Sequence, residues 1–134
     1  MRKINQIIIH CAATPPNMDI GADKIRQWHK ERGFNDIGYH YVIKRNGELQ
    51  RGRDIGTQGA HARGHNKNSI GICLVGGVDK NMKPDDNYTI MQKRKLRSLL
   101  NFLVVTFPGS EVLGHRDLPG VTKDCPCFDV IKWY

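Results

Sequence analysis

The chain predicts an α/β domain with a central mixed β-sheet flanked by helices. Three observations predict it: short β-branched runs alternate with helical periods, one Asn-Gly pair marks an antiparallel hairpin, and the length suits one core. At 134 residues such a chain buries about two-thirds of the surface its unfolded form exposes, so it needs no disulfide framework to fold. With 39% hydrophobic and 25% charged residues it lies in the ordinary globular range. No repeat, low-complexity tract or linker divides it, so a single domain over residues 1–134 is expected.

The elements follow in order. "QIIIHCAA" is short, apolar and β-branched, bounded by Thr14-Pro15-Pro16, and reads as a buried strand ending near His10. "ADKIRQWHKERG" sets Ile25 and Trp28 on one helical face and stops at Gly33. "YHYVIKRNGELQRG" holds Asn46-Gly47 between two β-prone runs, so Tyr39 to Arg45 and Glu48 to Gly52 should pair. "SIGICLVGG" is an apolar strand over residues 69–75 closed by a glycine pair, and the polar "DKNMKPDDN" after it is a surface loop. Thr89 with Gln92 forms a capping-box pattern opening a helix whose Leu96, Leu99, Leu100, Leu103 and Val104 face the sheet. "EVLGH" adds a last short strand that brings His115 to the sheet's end, where open α/β sheets gather functional groups.

Twenty-one Lys and Arg against thirteen Asp and Glu give a formal charge of +8, which favours a polyanionic partner. The basic residues are spread along the chain, with no RNP-type aromatic motif or zinc-finger spacing, so nucleic acid is not expected. The longest apolar runs fall short of a membrane span, and membrane insertion is not expected. At the N-terminus the apolar core is about four residues long and broken by His10, too short for a secretory signal. Synthesis in the cytoplasm, with cysteines present as thiols or metal ligands, is therefore expected.

The chain has six histidines and four cysteines. Taken singly, each has an ordinary structural explanation: a hydrogen-bonded strand histidine, or a buried thiol acting as a small hydrophobe. His115 and Cys125 are separated by a loop containing Pro and Gly and are close enough to converge on one ion, with His10 joining from the first strand. A hydrolytic zinc site needs three such ligands and an open fourth position. The spacing is looser than the patterns that nearly force a metal site.

Seven ordered blocks say more: "IIIHCAAT", "IRQWHKERGF", "GYHYVIKRNG", "GAHARGHNKNSIGICLVGG", "LRSLL", "GHRD" and "CPCFD". Together they resemble the zinc-dependent N-acetylmuramoyl-L-alanine amidases, which include amidase-type lysozymes of bacteriophages and, more distantly, the peptidoglycan recognition proteins. The resemblance implies that fold, and hydrolysis of the amide joining N-acetylmuramic acid to the L-alanine of the stem peptide, as in a prophage-type endolysin. It makes His10, His115 and Cys125 the ligands of one zinc ion, and Tyr39 and Lys123 the catalytic residues. It places His61 and Asn66 on the substrate side. Two imidazoles and one thiolate would leave zinc about one net positive charge, enough to polarise a carbonyl and acidify a water. The Lys123 ammonium would offset the developing oxyanion, while Tyr39 would orient water or substrate or help move a proton.

Peptidoglycan is the partner implied, with a monomer acting on the wall after release or export. Two other readings share the fold: a non-catalytic peptidoglycan-binding module, and the RNA polymerase inhibition known for some phage relatives. Cys127 stands where the family often has Ser or Gly. A second thiolate would close the water position; the expectation is an unligated thiol packed beside the site.

Overall fold

The computed structural model describes residues 2–134. Five strands form one sheet in the order β3-β2-β4-β1-β5: β1 Gln6–Cys11, β2 Tyr41–Ile43, β3 Leu49–Arg51, β4 Ser69–Leu74 and β5 Glu111–Gly114. β1 runs parallel to β4 on one side and β5 on the other, β2 is parallel to β4, and only β3 is antiparallel. The mixed sheet expected from the sequence is thus present.

Ile7, Ile8 and Ile9 are all fully buried, as an interior parallel strand with both faces covered requires. Alternation sends Ile7 and Ile9 into the core beneath helix α2, Ile90–Thr106, and Ile8 to the opposite face. His10 follows Ile8 by two residues, so it emerges on the face away from α2, at the strand's C-terminal end.

Helix α1, Ala22–Glu31, covers that second face with Ala22 and Ile25 against Ile37, Val42, Cys73 and Val75. Gly33 follows it with φ +99, a left-handed conformation that glycine adopts without the Cβ penalty. α2 opens with the expected capping box: Thr89 Oγ1 accepts from Gln92 N at 3.1 Å, and Gln92 Oε1 accepts from Thr89 N at 3.0 Å. The buried Gln92 amide also donates to the carbonyls of Val75 and Ile43, locking the cap to β4 and the hairpin.

The hairpin is shorter as regular strand than the β-prone runs suggested. Its backbone bonds nevertheless run on, from Lys44 N–Glu48 O at one end to Arg53 N–Tyr39 O at the other. Strand β4 likewise ends one residue early, although Val75 N still donates to Ile43 O. Helix α3, Val130–Trp133, closes the chain. Among the described residues no helix is long and apolar enough to cross a membrane.

Candidate metal centre and catalytic cleft

β1 and β5 lie side by side, and each brings a histidine to its C-terminal end. His10 is the fifth residue of β1, and His115 directly follows β5 in a 3-10 turn, His115–Asp117. That turn is fixed by Asp117, whose carboxylate accepts the Gly114 amide at 2.8 Å. The two rings are 4.6 Å apart between centroids.

Cys125 returns to them from the loop after the turn. Arg116 N donates to Cys125 O at 2.8 Å, Tyr88 Oη donates to Pro126 O at 2.6 Å, and Cys11 N donates to Cys125 Sγ at 3.1 Å. Gly114 lets the loop close in, because a Cβ there would sit 2.8 Å from Pro126 Cδ. Ligand atoms of His10, His115 and Cys125 consequently lie within 4.8 Å of one another.

The donor chemistry fits a divalent cation of intermediate softness. Burial, reinforced by the neighbouring His61 and His115, holds His10 far below the usual imidazole range, and burial with nearby Lys123 lowers His115. Both rings are therefore neutral at pH 7, with lone pairs to offer. A hydrogen bond with the Cys11 thiol and burial push Cys125 up; a bound cation reverses that preference and holds the sulfur as thiolate.

Cys127 is absent from this group. Its φ of +75° departs from an extended strand, so odd positions of the segment do not point the same way. Its Sγ instead donates to Gly77 O at 3.1 Å. The thiol is packed beside the site, as expected.

Tyr39 stands over the group with its ring 5.2 Å from that of His10. His29 of α1 packs against it, with ring centroids 5.4 Å apart and planes tilted by 52°, and accepts the Gly38 amide on Nδ1 at 2.8 Å. Burial raises the Tyr39 phenol well above its ordinary value, so it remains a proton donor at neutral pH. Lys123 is exposed on the loop between His115 and Cys125, close enough to His115 to depress its protonation. Tyr39 thus adjoins the His10–His115–Cys125 group, and Lys123 lies on the loop that joins two of its members.

His61 and Asn66, expected on the substrate side, are both held by protein partners. His61 has both ring nitrogens taken by protein groups, His10 Nε2 at 2.8 Å and Ser69 Oγ at 3.1 Å. Asn66 Oδ1 accepts the His61 and Ala62 amides, both at 2.9 Å, and so shapes the loop that carries His61. Sequence reasoning also passed over Cys11 and Tyr88, which tie down the Cys125 loop. Cys11 had a signal in its place beside His10; Tyr88 had none.

Comparison with known proteins identifies the family of the whole chain. A family model described as N-acetylmuramoyl-L-alanine amidase matches residues 1–128. The endolysin of Enterobacteria phage T3 is 48% identical over 128 residues, covering 96% of this chain and 83% of the relative. That of Escherichia phage T7 is 47% identical over 128 residues with the same two coverages, 96% and 83%. Among solved structures, the N-acetylmuramoyl-L-alanine amidase LysC from Clostridium intestinale superposes with a TM-score of 0.82 at 27% identity. The match covers 96% of this chain and 79% of that one.

Proposed function

Because the chain belongs to the N-acetylmuramoyl-L-alanine amidase family, we propose that its His10–His115–Cys125 group holds one zinc ion for peptidoglycan hydrolysis. As an amidase of the endolysin type it acts on the bacterial wall. The bond cut is the amide between the lactyl group of N-acetylmuramic acid and L-alanine. The observation that carries the reading is the convergence of two neutral imidazoles and one thiol within 4.8 Å.

When bound, zinc supplies Lewis acidity that polarises the scissile carbonyl and makes an attacking water more acidic. The chain's own residues do the rest. His10 and His115, kept neutral by burial, add no charge, so the centre stays cationic. The Tyr39 phenol, still protonated at pH 7, donates a hydrogen bond that orients water or substrate. Lys123 brings its ammonium to the oxygen that gains negative charge, an interaction of a kind worth about 3 kcal/mol of barrier. Tyr88, Cys11 and Arg116 keep the Cys125 loop in place while this happens. The net charge of +8 favours adhesion to the anionic wall.

A purely binding module is disfavoured by Cys125, whose thiol would have no task in recognition alone. The decisive experiment measures lysis of isolated cell walls before and after chelation. Activity should vanish with the metal and return with added zinc. Hydrolysis that survives complete metal removal would sink the mechanism.

A further inference from the structure

Behind the proposed metal group lies a histidine with no ring nitrogen to spare for substrate. His61 Nδ1 is 2.8 Å from His10 Nε2, and its Nε2 is 3.1 Å from the Ser69 hydroxyl. The two imidazoles meet edge to face at 89°. Several features hold His61 there. Asn66 accepts its backbone amide, and Gly71 leaves the space the ring fills, since a Cβ at Gly71 would come within 2.5 Å of His61 Cγ. Gly71 is itself pinned, donating its amide to His40 Nδ1 at 3.0 Å.

Two neutral imidazoles in line with a hydroxyl have two proton arrangements. In one, Ser69 donates to His61 Nε2, His61 Nδ1–H donates to His10 Nε2, and His10 carries its own proton on Nδ1. In the other, His10 Nε2–H donates to His61 Nδ1, and His61 Nε2–H donates to Ser69 Oγ. Only the second leaves the Nδ1 lone pair of His10 free, and Nδ1 is the one nitrogen not engaged with His61.

We propose that His61 is a positioning residue of the metal centre: with Ser69 it fixes His10 in the tautomer and ring orientation that a cation requires. The inference rests on the reading of His10, His115 and Cys125 as a zinc site. The outer partner of a ligating histidine is usually a carboxylate, a carbonyl or water. An imidazole in that place accepts the same proton without adding the negative charge of a carboxylate. The centre keeps about one net positive charge, and with it more of its Lewis acidity.

The test measures zinc affinity of the full chain by competition with a chromophoric chelator, alongside kcat and KM for wall fragments. His61→Phe, which removes the acceptor, should weaken zinc binding about 10- to 100-fold. His61→Asn, whose Oδ1 stands near the lost Nδ1, should recover most of that loss. Ser69→Ala, a smaller change that guards against misfolding of the Phe variant, should weaken zinc in the same direction. A raised KM with unchanged zinc affinity in His61→Phe and Ser69→Ala would overturn the proposal and return His61 to substrate contact. A wild-type chain that binds no zinc overturns the metal reading and this inference together; equal zinc binding by all variants overturns this inference alone.

Discussion

The backbone amide of Cys11 points at the sulfur of Cys125, 3.1 Å away, so the end of β1 serves the proposed centre twice. His10 offers an imidazole and its neighbour offers an N–H to the thiolate. Such a bond favours the charged sulfur and orients its lone pairs.

Replacing that sulfur tests the ligand assignment most directly. Cys125→Ser should lower zinc affinity and wall hydrolysis by more than about 100-fold, beyond what outer partners alone cost. Wall binding should persist in a pull-down with insoluble peptidoglycan. Unchanged lysis by this variant would remove Cys125 from the mechanism.

Tyr39→Phe keeps the ring that packs against His10 and His29 but loses the hydroxyl. We expect kcat to fall about 100-fold, the lower range for a positioned proton donor. Zinc affinity should stay at the wild-type value. A matching loss of zinc would make Tyr39 a structural support instead.

Lys123→Ala should lower kcat about 100-fold with the metal retained, as when one oxyanion donor is lost. Lys123→Arg keeps the charge and should fall between the two. Steady-state rates on a soluble muramoyl peptide separate these cases, and identical kcat in all three proteins would leave the lysine a solvated loop residue.

His40 gives a pH dependence that does not depend on the metal ligands. Burial lowers its pKa to about 4, with its Nδ1 accepting the Gly71 amide and its Nε2 donating to Thr57 O. An unfolded histidine titrates near 6.5, so between roughly pH 6.5 and 4 the unfolded chain binds the extra proton. The stabilisation is complete above that window and is lost as pH falls through it, with a slope up to about 1.4 kcal/mol per pH unit. Urea midpoints of metal-free protein should therefore drop between pH 7 and pH 5, and the His40→Gln variant should lose part of that slope. A slope identical in both proteins would clear His40 of the effect.

Much of the fold was legible because its signals are local. Asn46-Gly47 turns a hairpin whatever lies elsewhere, and Thr89 with Gln92 caps a helix from within four residues. The proposed metal ligands came from resemblance, and the placement of His10 and His115 at strand ends was legible from the strand pattern. What escaped depends on contacts across the chain. Tyr88 reaches Pro126 from 38 residues away, and nothing in its neighbours announces it. His61 carried a role implied by resemblance, and its partners, set by the space over Gly71, had no signal in the sequence. Cys127 was expected beside the group rather than in it, but the contact of its sulfur with Gly77 O, 50 residues away, had no local signal.

The place of β1 between β4 and β5 has a consequence for biosynthesis. β1 precedes both its sheet partners in the chain, and Cys125 lies 114 residues beyond Cys11. His10 and Cys11 leave the exit tunnel long before the groups they serve. A chain cut short before Cys125 therefore lacks the sulfur of the proposed centre, however well its first strand is made.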